Sequence, residues 1–190
     1  MVRIRICIPD LYRGTAALRQ FEAAIIYFYH ALFPVESHVL HIYIDADACP
    51  VKNEIYRVAE RYRLSVTLVT NSWMRSPPYS WVKLQVVGDG LDEADDWIVE
   101  HVQQDDVVIT ADIPLASRCI KGGASVIGTT GKPFTEDNIG GAVAMRDLMK
   151  ELRGAGEITG GPPPLSKRDK SRFLQEFDAM IQAIRRRCGA

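Results

Sequence analysis

The chain of 190 residues is 47% hydrophobic and 25% charged, with a formal net charge of -1. Those values describe one ordinary globular domain with a real core, and exclude a global electrostatic pull toward nucleic acid or membrane. Four widely separated cysteines, Cys7, Cys49, Cys119 and Cys188, form no CxxC pair, so zinc-site spacing is absent and free thiols in a reducing, cytoplasmic setting are expected.

In chain order, Arg3, Arg5, Arg13 and Arg19 precede the apolar stretch 21–33, a superficial likeness to a signal peptide. Glu22 and His30 interrupt that stretch, and no small-x-small cleavage site follows. Residues 1–38 are therefore read as a peripheral extension arising from a mis-assigned start, with Val39 at a valine-coded initiation codon. A native chain whose N-terminal sequencing begins at Met1 would refute this. No run approaches the roughly 20 apolar residues of a membrane span.

Residues 39–153 read as an alternating strand–helix core. Leu40 to Ile44 is the first strand by its β-branched, apolar composition, and two carboxylates, Asp45 and Asp47, follow at once. Pro50 opens a helix with an apolar stripe of Val51, Ile55, Val58, Ala59 and Tyr62. Leu64 to Thr70 is strand two, Asn71 to Ser80 a loop, and Trp81 to Val87 strand three. Gly88-Asp89-Gly90 is a turn before a helix capped by Asp92 and reaching His101. Asp106 to Thr110 is strand four, ending at Ala111-Asp112, and Pro114 starts a short helix. Ala124 to Ile127 is strand five; after a loop holding Thr129 to Lys132, Asp137 or Asn138 caps a helix to Leu152. Residues 154–190 comprise a Gly/Pro linker and a terminal amphipathic helix, 167–187, with Phe173, Leu174, Phe177, Ile181 and Ile184 on the side that packs on the core. Such alternation predicts an α/β fold of three layers, Rossmann-like, around a central, mainly parallel five-stranded sheet.

In open α/β sheets, ligands bind beyond the carboxyl ends of the strands. Asp45 and Asp47 after strand one, Asp92, Asp95 and Asp96 on a middle helix, and Asp112 after strand four are candidates to converge there. Two carboxylates about 5 Å apart repel by roughly 3 kcal/mol at an effective dielectric near 20. A divalent cation with oxygen ligands, Mg²⁺ or Mn²⁺, offsets that repulsion and supports phosphodiester hydrolysis. The competing reading makes Asp47, Asp92 and Asp112 helix caps; Asp45, directly after the strand, needs another explanation. Lys52, Asn71, Thr110, Arg118, Asn138 and Arg146 are the expected phosphate or substrate contacts. Cys49, with no His nearby and Arg57 too distant for a CxxxxxR loop, is read as a packing residue.

The stretches IYIDADACPVKNEIYRVAER, DEADDWI, VVITADIPLASRCI, GKPFTEDNIG, AMRDLM and GGPPPLSKRDKSRF resemble the YaiI/YqxD family of bacterial proteins, over residues 41 to about 187. That resemblance implies a PIN-like domain, a Rossmann-like fold whose active members are Mg²⁺- or Mn²⁺-dependent nucleases, many acting on RNA. It implies Asp45 and Asp112 as catalytic metal ligands, with Asp95 or Asp96 completing the site and Asp47 beside it. Glu54 is the candidate for the glutamate that many such nucleases carry on an early helix.

Three functions follow from these residues. The first is a metal-dependent nuclease with RNA as partner. The second is a non-catalytic binder of RNA or protein through the basic tail 167–187, whose binding is salt-dependent and survives loss of the carboxylates. The third is a phosphohydrolase of the haloacid-dehalogenase type, with Asp45 as nucleophile in a DxD. Against the third, the acidic run GDGLDEADD precedes Thr110 instead of following it.

Overall fold

Strands buried on both faces need apolar side chains at consecutive positions, and three segments meet that demand. Ile42, Tyr43 and Ile44, then Val107, Val108 and Ile109, then Val126 and Ile127 are all buried. In the computed structural model, which describes residues 39–47, 49–88, 90, 92–154 and 164–188, these segments form the centre of one sheet. The strands are β1 (His41–Asp45), β2 (Ser65–Thr70), β3 (Val82–Val86), β4 (Val107–Ile109), β5 (Ser125–Ile127) and β6 (Pro133–Phe134). The helices are α1 (Lys52–Tyr62), α2 (Glu93–His101), α3 (Ile113–Lys121), α4 (Glu136–Gly154) and α5 (Lys167–Cys188). The expected extension over residues 1–38 and its start site lie outside the described residues.

The sheet order is β3-β2-β1-β4-β5-β6. The first five strands are parallel, and β6 runs antiparallel to β5. Alternation within each strand sorts side chains between two cores. Ile42, Ile44, Val66, Leu68, Val107 and Ile109 face α1 and α5, with Ile55, Val58, Phe173 and Phe177. Tyr43, Val69, Val108 and Val126 face α2 and α3, with Ile98, Leu115 and Cys119. The result is a three-layer, Rossmann-like α/β fold.

The terminal helix belongs to the core. Phe173, Phe177, Ile181 and Ile184 of α5 are buried, and burying four such side chains stabilises by roughly 6–12 kcal/mol as an upper bound. At the surface two ion pairs tie it to the rest of the domain, its Arg187 to Asp105 and its Asp178 to Arg61, each at 2.8 Å. Gly131, between β5 and β6, is pressed against this helix. A Cβ there would stand 2.7 Å from Phe173 Cα, and its φ is +81°, so only glycine fits.

Three expectations change in detail. The sheet has six strands, not five: Gly128 N–H donates to Lys132 O at 2.8 Å, which turns the chain back so that Pro133 and Phe134 pair at the edge. Pro133 is tolerated there because an edge strand can dispense with a donor. Helix α1 begins at Lys52 with Val51 as its N-cap residue, so Pro50 precedes the helix instead of opening it. Asp92 stands at the N-cap position of α2 with φ +63° and makes no side-chain cap bond.

Candidate functional site

Between β1 and β4 the winding of the sheet reverses, because the chain builds outward from β1 to β3 and then returns to β1's other side. Such a switch point opens a crevice at the carboxyl ends of the strands. Asp45 is the last residue of β1, and Thr110 directly follows β4. The buried Thr110 hydroxyl donates to Asp45 Oδ2 at 2.8 Å and accepts from the Asp112 N–H at 2.9 Å. One hydroxyl therefore ties the ends of the two strands together. Asp112 Oδ1 in turn accepts from the Leu115 N–H at 2.9 Å, so Asp112 is an N-cap and a member of the site at once.

Asp47 is anchored from the other side. The Thr70 hydroxyl, at the end of β2, donates to Asp47 Oδ1 at 2.5 Å, and the Asn71 N–H donates to Oδ2 at 3.2 Å. Neither bond is a helix cap. Asp95 enters from the first turn of α2.

These carboxylates perturb one another. Burial pushes the Asp45 carboxyl up, and the charges of Asp47 and Asp112 add to it, against the Thr110 hydroxyl and the Asp47 backbone N–H. Asp95 is pushed up to about 6, first by burial and then by the charges of Asp112, Asp45 and Asp92. Arg118 pulls Asp95 only partly back, because its guanidinium is engaged with Asp96 at 2.6 Å, where both side chains are about half exposed. The sequence left Asp95 and Asp96 as alternatives; Asp95 joins the cluster and Asp96 partners Arg118.

Among the described residues, no three His, Cys, Asp or Glu side chains stand close enough to hold a metal ion as they are. The donor chemistry nevertheless suits a hard divalent cation, being all carboxylate oxygen with its nearest guanidinium already paired. Mg²⁺ and Mn²⁺ ordinarily complete their coordination with water and substrate phosphate. The residues that would hold it are Asp45, Asp95 and Asp112, with Asp47 behind them.

The remaining sequence candidates divide. Lys52 Nζ donates to Ala46 O at 2.6 Å, pinning the start of α1 to the end of β1 beside the cluster. Asn71 Nδ2 donates to Gly90 O at 3.3 Å and braces the neighbouring loop. Asn138 Oδ1 accepts from the Thr135 N–H and its Nδ2 donates to Pro133 O, both at 3.1 Å; this closes the turn into α4. Arg146 lies on α4, in a groove distinct from the acidic cluster. Glu54 lies 3.9 Å from Lys170 of α5, and it is not among the charges that shift Asp45. The Cys49 thiol is buried and pushed up to about 11 by that burial, which fits packing and not nucleophilic attack. Thr70 was missed by sequence reasoning, although the parallel endings LVT and VIT of strands two and four marked both threonines.

The fold and site define a Rossmann-like α/β domain with an acidic cluster at its switch point. Residues 43–183 match the family described as "Uncharacterized BCR, YaiI/YqxD family", and the chain belongs to that family. A "UPF0178 protein" of Nitrobacter winogradskyi is 54% identical over 151 residues, covering 80% of this chain and 96% of its own. Another of Rhodopseudomonas palustris is 55% identical over 149 residues, 78% and 94% of the two chains. A third, of Parvibaculum lavamentivorans, is 56% identical over 146 residues, 77% and 96% of the two chains. No solved structure matches the chain. Among the described residues, no helix is long and apolar enough to cross a membrane.

Proposed function

We propose that the protein is a Mg²⁺- or Mn²⁺-dependent nuclease that hydrolyses RNA phosphodiesters in the crevice between β1 and β4. The observation that carries this reading is the mutual influence of Asp45, Asp95 and Asp112, drawn from a strand end, a helix and the N-cap after a second strand, with charge repulsion that Arg118 and the local hydrogen bonds offset only in part. Half-buried carboxylates that repel one another are costly to keep ionised, and such a cluster is retained where a cation and its phosphate ligand use it. The strand order and the acidic residues after β1 and β4 also support the PIN-like reading of the fold.

When bound, the cation would neutralise charge on the scissile phosphate and make water a stronger acid. The chain's own residues do the positioning. Thr110 holds the Asp45 carboxylate and the Asp112 backbone in one register, so the two acidic oxygens face the same space. Thr70 and Asn71 fix Asp47. Asp95, whose carboxyl is pushed up by burial and by its acidic neighbours, gains most from a cation's positive charge and would be a ligand to it. Lys52 stands where an ammonium can meet a phosphate oxygen.

The test is cleavage of single-stranded RNA by purified protein with Mn²⁺ or Mg²⁺, against EDTA and against Asp45→Asn. Cation-dependent cleavage that the variant lacks is expected. Equal cleavage by the variant removes Asp45 from the reaction, and no cleavage in any lane refutes the nuclease. A binding-only role is the second reading, favoured by the lack of a closed three-donor set among the described residues.

A further inference from the structure

Helix α4 is unlike its neighbours. It runs for 19 residues, and none of them is buried, whereas α1 and α3 each bury several side chains. Between α4, β6 and the start of α3 lies an open groove of about 740 Å³. Its apolar surface comes from Ile113, Phe134, Met145 and Met149, and its charge from Lys132, Arg146, Lys150 and Arg153. Among the described residues, no carboxylate lines it.

We infer that this groove binds a single-stranded polynucleotide and leads it toward the acidic cluster; the last part rests on the nuclease reading, the binding itself does not. Charge complementarity selects the occupant's sign: four cations with, among the described residues, no anion in the lining call for a polyanion. The same like charges oppose docking of a second copy through this face. Spacing favours a phosphate backbone. Arg146 and Lys150 are one helical turn apart, about 6 Å along the axis, and Lys150 to Arg153 about 4.5 Å, which is the scale of successive phosphates on an extended strand. The apolar floor gives unpaired bases a surface to stack on, as single-strand binders require and duplexes cannot use.

Two further observations point the same way. Gly140 and Gly141 lie inside α4, and none of the described residues stands within 4 Å of a Cβ built at either. A helix-interior glycine costs about 1 kcal/mol relative to alanine, and no internal packing demands it here. Close approach of a ligand along Gly141, which lines the groove, supplies a reason. Ile113, which lines the groove, is the residue after Asp112, so the groove adjoins the segment that carries one carboxylate of the acidic cluster. Among the described residues, the one ion pair made by its cations is Arg146 with the adjacent Asp147 at 3.6 Å, a loose surface contact that a phosphate displaces at little cost.

The experiment is fluorescence anisotropy of a labelled oligouridine with full-length Asp45→Asn protein in EDTA, so that neither cleavage nor cation contributes. Arg146→Glu/Lys150→Glu is expected to weaken binding about tenfold and to flatten the log–log salt slope by roughly 1.4, two phosphates at roughly 0.7 each. Gly141→Leu, which fills the groove without changing charge and favours the helix, is expected to weaken binding about fivefold. Lys167→Glu/Arg168→Glu on α5 is the charge-matched control and should bind as the parent does. Unchanged binding by the α4 variants, an equal loss in the α5 control, or equal competition by a polyaspartate of the same charge overturns the proposal. Groove-dependent binding by a protein that never cleaves RNA leaves the groove standing and removes the nuclease. Cleavage that ignores the α4 variants does the reverse.

Discussion

Replacing Asp95 by asparagine removes one negative charge from the cluster with almost no change of shape. In the folded chain the Asp95 carboxyl titrates near 6, raised by burial and by Asp112, Asp45 and Asp92; unfolded, an aspartate titrates near 3.9. The folded state therefore holds this proton more tightly than the unfolded one. Its penalty for ionising Asp95 grows as pH rises from about 4 to about 6 and is complete above that. A two-unit separation is worth about 3 kcal/mol at most, and screening at this partly exposed side chain reduces it to roughly 1 kcal/mol. For a chain of this size, roughly 1 kcal/mol moves Tm by about 2–4 °C. Asp95→Asn is thus expected to raise Tm by that amount near pH 8 and by only about a third as much near pH 4.5, read by thermal melts across the range. Mn²⁺ at about ten times its Kd adds roughly 1.4 kcal/mol to the parent, and less to the variant, which has lost a ligand. A variant that melts below its parent near pH 8, or gains equally at both pH values, refutes the electrostatic account of the cluster.

Thr110→Val deletes the hydroxyl that serves Asp45 and the Asp112 N–H together, and it should cost about 1–3 kcal/mol in urea unfolding and abolish any RNA cleavage, while Thr110→Ser retains most of both. Gly131→Ala must place a Cβ 2.7 Å from the Phe173 backbone at φ +81°, so its unfolding midpoint should fall by about 2–4 kcal/mol equivalent; near-parental stability would show that α5 packs differently. Cys49 and Cys119 are buried and their thiols are pushed up to about 11 and about 12 by that burial. Of these and the exposed Cys188, peptide mapping after alkylation of the native protein near pH 8 should find only Cys188 labelled.

The strands were legible because a doubly covered parallel sheet writes its demand at consecutive positions, as in Val107-Val108-Ile109. The helix stripes of α1 and α5 were legible for the same reason at a different period. Strand β6 was not, since two residues, one of them proline, carry no periodic signal and pair only because the Gly128–Gly131 turn returns them to β5. The acidic residues could be named from sequence, but not their roles. Choosing Asp95 over Asp96 depends on where Arg118 of α3 reaches, and that is a tertiary fact. The cap reading shared the same blindness: Asp47, Asp92 and Asp112 all precede helices, yet only Asp112 accepts a cap hydrogen bond from its helix.

Thr70 and Thr110 show why the site is built as it is. Each ends a parallel strand, each is buried, and each donates its hydroxyl to a carboxylate at the end or just beyond the end of β1. A hydroxyl orients a carboxylate without neutralising it, whereas a lysine or arginine in its place would satisfy the charge internally. Holding Asp45 and Asp47 with threonines keeps their negative charge available at the mouth of the crevice. Of the nearby cations, Lys52 is tied to Ala46 O beside the cluster and Arg118 to Asp96, while Lys132, Arg146, Lys150 and Arg153 line the groove of α4. Acidic cluster and cationic groove are therefore separate surfaces, the distribution that the proposed reading expects of a cation held at the one and a phosphate chain in the other.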